Sequence, residues 1–184
     1  MENEAACVRL RMKHARLDQA AKKEGFAVGL WQNFQDEPVS RLSLREPVTA
    51  KPSDTLREVI ARMRDRKLGC AIVADDEDKP IGIFTESTLT QLLNKHGSSV
   101  VDDRLEKHMT SPCPWVQLTD PIAFVVEAMQ LKNIRFLCVV DGEGRIARLT
   151  GQKGLIEFVA DHIPGQIMVQ RIGGQPFPSD REGA

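Results

Sequence analysis

The amino-acid sequence predicts an α+β fold made from one supersecondary unit used twice, and three observations carry that reading. Residues 120–155 repeat the layout of residues 54–89. Asp54, Met63, Val73 and Asp75 stand 66 positions before Asp120, Met129, Val139 and Asp141, and after the turn the spacing falls to 65, setting Thr85 against Thr150. Each copy joins an apolar stripe at helical spacing to an apolar run of strand length and a polar turn. The unit is strand, helix, strand, strand, helix.

Residues 1–37 stand outside the repeat. Residues 8–23 have helix-forming composition, and Gly25 and Gly29 break that helix ahead of Trp31 and Phe34, which tuck the segment onto the domain or a second subunit. Arg9, Arg11, Lys13, Arg16, Lys22 and Lys23, opposed in that window by Asp18 alone, make either a solvated face or a contact for nucleic acid or an acidic partner.

The first copy spans residues 38–97. Residues 47–50 are a short extended lead-in, Pro52 ends it, and Ser53 or Asp54 caps the next helix. Leu56, Val59, Ile60 and Met63 recur at i, i+3, i+4 and i+7, one apolar face. Gly69 closes the helical region, residues 70–74 read as a buried strand, 75–80 as a turn and 81–84 as the return strand. Residues 85–93 follow as a helix with Leu89, Leu92 and Leu93 on one side.

The second copy spans residues 98–163. Pro112 and Pro114 lead to a strand at 115–118, and Asp120 reads as an N-cap with Pro121 in the first helical position, where a missing N–H costs nothing. Ile122, Val125, Val126 and Met129 repeat the apolar spacing. Residues 136–140 are the buried strand, 141–144 the turn and 145–149 the return. Leu155, Phe158 and Val159 stripe the last helix, which Pro164 and Gly165 end, leaving a C-terminal tail at 164–184.

Composition bounds the function. A chain of 184 residues with 41% hydrophobic and 28% charged content is ordinary for a soluble domain, and a net charge of −1 exerts no general pull on nucleic acid or anionic lipid. No apolar run approaches the roughly 18 residues that span a bilayer, and the first residues lack a secretory layout, so a cytoplasmic protein is expected. Cys7, Cys70, Cys113 and Cys138 have no C-x-x-C spacing, and His14, His96, His108 and His162 no metal-ligand spacing. Asp75, Asp76, Glu77 and Asp78 lack the periodicity of a calcium loop, and Gly142 and Gly144 flank a turn with no phosphate cradle. No metal, no required cofactor and no catalytic residue is expected; the pattern argues against an enzyme.

In the first copy PVTAKPSDTLREVIARM, LGCAIVADD and GIFTEST, and in the second HMTSPCPWV, DPIAFVVEAM, IRFLCVVDGEGRI and LTGQKGL, resemble the CBS domain, named after cystathionine beta-synthase. The tandem, over residues 38–163, resembles a CBS pair, or Bateman module. That resemblance implies a three-stranded sheet with two helices per copy, the copies paired about a pseudo-twofold axis to leave two clefts. It implies an adenosine-containing ligand such as AMP, ADP, ATP or S-adenosylmethionine, and a homodimer. By the family pattern Thr85 and Thr150 at the strand–helix junctions offer a hydroxyl and helix N-terminal amides to the ligand, or merely cap their helices. Three residues on, where the family usually places an aspartate for the ribose, stand Thr88 and Lys153. Thr49, Ala50 and Pro52 match the adenine slot of one copy and Val116 and Leu118 that of the other. Arg135, whose counterpart is Gly69, matches a basic phosphate contact.

The function this implies is a stand-alone regulatory module that senses an adenosine-type or other anionic small ligand and signals through dimer conformation. The alternative is a ligand-free scaffold that binds a protein or nucleic-acid partner through its N-terminal segment. The two absent aspartates favour the scaffold; Thr85, Thr150 and Arg135 favour the sensor.

Overall fold

A computed structural model describes residues 25–162. The helix expected at 8–23, its basic cluster, the ending at Pro164 and Gly165 and the tail lie outside the described residues.

The elements run α1 (Gly25–Asp36), β1 (Thr49–Ala50), α2 (Leu56–Asp65), β2 (Cys70–Ala74), β3 (Pro80–Thr85), α3 (Glu86–His96), β4 (Trp115–Gln117), α4 (Ile122–Lys132), β5 (Phe136–Val140), β6 (Ile146–Gly151) and α5 (Gln152–His162). They form two three-stranded sheets, ordered β1-β2-β3 and β4-β5-β6. In each, the first pair of strands is parallel and the second antiparallel. The expected unit is therefore present twice, and Cys70–Ala74 and Phe136–Val140 are the buried strands read from composition.

Several ends differ from the sequence reading, each for a local reason. Gly29 lies inside α1 and does not interrupt it, and Gly25 is its first described residue. The cap of α2 is Thr55, one residue past the expected pair. Its hydroxyl accepts from the Glu58 N–H while the Glu58 carboxylate accepts from the Thr55 N–H, a reciprocal capping box. Asp54 is drawn off instead into an ion pair with Arg62. Asp120 spends its carboxylate on the Gln117 N–H at 2.8 Å, so Pro121 takes the cap position of α4. The end of α2 is made by Lys67, not Gly69. Lys67 sits at φ 51°, its N–H reaches the Arg64 carbonyl and the Leu68 N–H the Met63 carbonyl, a Schellman ending.

The repeat spacing is 66 throughout the sheets and following helices, and does not fall to 65. Cys70 faces Thr85 across the first hairpin, and Phe136 faces Gly151 across the second. The two turns are the same length and built alike: the Asp75 carboxylate accepts from the Glu77 and Lys79 N–H groups, and the Asp141 carboxylate from those of Glu143 and Arg145, all at 2.9 Å. No residue is lost, so α3 and α5 begin at Glu86 and Gln152 and end at His96 and His162. The counterpart of Thr85 is thus Gly151, that of Thr88 is Gly154, and Thr150 stands where the first copy has Phe84.

Strand alternation sorts side chains into two cores. From β5, Cys138 and Val140 join Ile72, Phe84, Leu56 and Leu149 in the core that holds the two sheets together. Leu137 and Val139 face the other way, into a core with Ile122, Val125 and Phe158. That second core also receives Phe34, Val39 and Leu42. The aromatic residues of α1 therefore tuck onto the second copy: the Phe34 and Phe158 rings stand 5.9 Å apart, and Trp31 meets Phe34 edge-on at 6.2 Å.

The segments leading into the copies cross over. Arg45 bridges to Leu149 on β6, and Thr110 bridges to Ile83 on β3, each by a reciprocal pair of backbone hydrogen bonds of 2.8–2.9 Å. Each sheet is thereby extended, at its third strand, by the lead-in of the other copy. This exchange of segments builds the clefts.

Candidate functional site

Two cavities lie where a strand–helix junction meets the crossed-over lead-in. The first, of about 610 Å³, sits between the β3–α3 junction and the second lead-in; Thr85, Glu86 and Ser87 line one side and Thr110 to Pro114 the other. Gly69, Asn133, Arg135 and Phe136 complete it. The second, of about 240 Å³, sits between the β6–α5 junction and the first lead-in. It is lined by Ser43 and Arg45, by Leu149 to Gly154, and by Arg135 and Phe136. Arg135, exposed at the head of β5, borders both cavities.

Close backbone packing shapes these walls. A Cβ on Gly154 would stand 2.7 Å from the Ser43 carbonyl oxygen, and one on Gly151 2.9 Å from that of Arg135. Only glycine lets the first turn of α5 and the lead-in approach so closely.

Of the residues read from the sequence, Thr85, Arg135, Thr150 and Lys153 line a cavity. Thr88 stands one turn into α3, where its N–H and hydroxyl both engage the Thr85 hydroxyl, at 3.2 and 3.0 Å. Thr85 thus caps α3 and lines the first cavity at once. Thr49, Ala50, Pro52, Val116 and Leu118 line neither. The Thr49 carbonyl is taken by the Arg62 guanidinium at 3.0 Å, Ala50 and Val116 are buried in the cores, and the Leu118 N–H bonds to the Val140 carbonyl at 3.2 Å. Around that lead-in, burial raises the Asp54 carboxyl, but the Arg62 hydrogen bond, the Lys51 N–H and both cations outweigh it and hold it below the ordinary carboxylate value. The sequence reading missed Ser43, Arg45 and residues 110–114, because which lead-in serves which sheet is a matter of crossover that spacing does not encode.

Thr150 differs from Thr85 in kind. It is 2% exposed, and its hydroxyl, 3.5 Å from where a Cβ on Gly154 would lie, has no hydrogen-bond partner. Cys113 is buried in the wall of the first cavity, against Cys138. Its thiol is pushed well above the usual range by a hydrogen bond with Cys138 and by burial, and burial pushes Cys70 up to about 12. Both stay protonated and are weak nucleophiles at neutral pH. Among the described residues no cluster of three or more His, Cys, Asp or Glu side chains could hold a metal ion, and no helix is long and apolar enough to cross a membrane.

Comparison with known proteins gives consistent findings. The family model described as the CBS domain matches residues 39–95 and 101–159. An uncharacterised protein of Methanopyrus kandleri is 25% identical over 119 residues, covering 65% of this chain and 61% of the relative, so the chain spans less than two thirds of that protein. The glycine betaine/carnitine/choline transport ATP-binding protein of Bacillus subtilis is 24% identical over 129 residues, 70% of this chain and 32% of its own length. Among solved structures, the CBS domain pair of protein MJ0100, in complex with 5′-methylthioadenosine and S-adenosyl-L-methionine, superposes with a TM-score of 0.60 at 20% identity, over 68% of this chain and 98% of the other. A CBS domain protein of Pyrobaculum aerophilum complexed with AMP gives 0.58 at 22% identity, over 67% and 99%.

Proposed function

The chain belongs to the CBS domain family, and from that premise we propose that it is a regulatory module which senses an adenosine-containing ligand in its first cavity and signals by changing how two copies associate. The observation that carries this reading is the cavity itself. At about 610 Å³ it falls within the roughly 300–1,000 Å³ typical of small-molecule sites, whereas its neighbour does not. The Thr85 hydroxyl and the amides of the first turn of α3 are the groups that would meet a phosphate or polar ligand edge, with Arg135 also in the lining. Thr88, hydrogen-bonded to Thr85 and outside the lining, places no carboxylate beside a ribose. AMP bound to one structural relative, and 5′-methylthioadenosine and S-adenosyl-L-methionine to another, supply the ligand class. A cytoplasmic setting suits such ligands and, among the described residues, the free buried thiols of Cys70, Cys113 and Cys138.

The test is thermal unfolding of the full chain against AMP, ADP, ATP and S-adenosylmethionine. A true ligand at about 100 times its dissociation constant adds roughly 2.7 kcal/mol. Replacing Thr85 by valine is expected to weaken that ligand about tenfold, the worth of one hydrogen bond to a charged group. If no member of the panel moves the transition, the sensor reading fails and the scaffold reading takes its place.

The signalling surface we propose is the α3 and α5 end. No residue of α3 is buried, Leu93 is 39% exposed, and Ile156 on α5 is 66% exposed, the two large hydrophobic side chains most open to water among the described residues. A second copy would cover them. Sedimentation equilibrium should give a dimer, and Ile156→Glu should shift it toward monomer; a wild-type monomer at all concentrations would remove this part of the proposal.

A further inference from the structure

We infer that the second cavity is a site for a compact oxyanion, a phosphate or pyrophosphate group bound without recognition of a nucleoside. The two cavities are related by the repeat, so they can be compared position by position, and every difference in charge runs one way. Ser87 in the first becomes Lys153 in the second, and Thr110, the lead-in residue that bridges to the third strand, becomes Arg45, while Arg135, the counterpart of Gly69, borders both. Glu86, the first residue of α3, becomes Gln152. Beyond the shared Arg135 the second cavity thus gains two cations and loses one carboxylate, and no acidic side chain lines it.

Those cations are available. Among the described residues Arg135 has no ion pair. The Arg45 guanidinium donates only to the Lys67 carbonyl, at 3.3 Å. Lys153 lies 3.5 Å from Glu157 with 74% and 41% of the two side chains exposed, a surface pair of small worth that an entering anion can replace.

Two further features point to the ligand. Helix α5 is 11 residues long and begins after Gly151, which has no side chain to cap it, whereas Thr85 caps α3. Its first amides are therefore donors without a side-chain acceptor at the cap position, at the positive end of the helix. Beside that turn lies the Thr150 hydroxyl, buried and without a partner, an arrangement that costs free energy unless a ligand completes it. Size decides between a nucleotide and a bare oxyanion. At about 240 Å³ the cavity is smaller than drug-sized pockets, and the position of Thr85, whose hydroxyl lines the first cavity, is a glycine here. What remains is a cradle of amides, one hydroxyl and three cations, which is the donor set that tetrahedral oxyanions select.

The inference does not depend on the first cavity taking an adenosine ligand. The experiment is calorimetric titration of the full chain with inorganic pyrophosphate at constant ionic strength, with adenosine and ATP as separate arms. One saturable pyrophosphate site per chain is expected, undisturbed by excess adenosine. Lys153→Ala and Arg45→Ala should each weaken it about tenfold or more, as loss of a charge-assisted hydrogen bond does. Thr150→Val should weaken it too, while leaving the melting temperature of the unliganded protein equal or higher, because the valine removes a hydroxyl that has no partner there. A solely structural Thr150 would not lower pyrophosphate affinity. Thr85→Val, which tests the first cavity, should leave pyrophosphate binding intact. Absence of saturable binding at millimolar pyrophosphate, displacement by adenosine, or unchanged affinity in both cation variants would each overturn the assignment. Displacement by ATP but not by adenosine would uphold it and name the phosphate tail of a nucleotide as the source of the anion.

Discussion

Phe84→Ala should destabilise the protein by about 3–5 kcal/mol, the range for deleting a fully buried phenylalanine, through lost burial and the cavity left behind. Phe84 is 0% exposed on β3 and belongs to the core that joins both sheets, with Leu56, Ile72, Cys138 and Leu149 around it. At roughly 2–4 °C per kcal/mol for a chain of this size, the melting temperature should fall by about 6–20 °C. Urea unfolding checks it: the midpoint should drop with little change in slope. A loss under about 1 kcal/mol would mean that the sheets do not share this core. The matching position of the second copy is Thr150, so the two halves do not contribute equally; the equivalent Thr150→Ala change should cost far less.

Gly154→Ala should be the more damaging of two glycine replacements that look alike in sequence. At Gly154 the new Cβ would meet the Ser43 carbonyl oxygen at 2.7 Å, a backbone atom that cannot swing aside. Either the lead-in lifts off the sheet or α5 shifts, and overpacking of this kind costs about 1–3 kcal/mol. Gly142→Ala, in the open turn with nothing within 4 Å, should be neutral or slightly stabilising. The comparison is made by thermal unfolding of the two variants side by side. Equal stability would sink the claim that residues 43–45 of the first lead-in pack against the second copy. Because Gly154 also forms the wall of the second cavity, its alanine variant should lose pyrophosphate binding more than stability alone accounts for.

Much of the fold was legible along the chain. The apolar runs at 70–74 and 136–140 announced the central strands, because a strand buried on both faces has to be apolar at every position. The stripe of Leu56, Val59 and Met63 announced α2, since a half-buried helix needs apolar residues at that period and all three are buried. The caps were less legible. Ser53, Asp54 and Thr55 all suit the role, and only the reach of Glu58 and the competing Arg62 decide that Thr55 takes it. The register of the second copy misled for a similar reason. Identity of threonine drew Thr85 onto Thr150, while hydrogen bonding in two equal turns sets Thr85 against Gly151.

By itself the sequence determined that one unit occurs twice, which segments are strands and helices, and that Thr85, Arg135, Thr150 and Lys153 stand near their junctions. These are consequences of local periodicity and of chemistry within a few residues. Tertiary structure alone decided that the lead-ins cross, so that Arg45 joins Thr150 and Lys153 while Thr110 joins Thr85. It also decided that one cavity is roomy with a carboxylate and the other small and cationic. The physical reason is that a β edge accepts any segment that can complete its hydrogen bonds. Which one docks depends on the packing of both cores at once, and neither repeat carries that information alone.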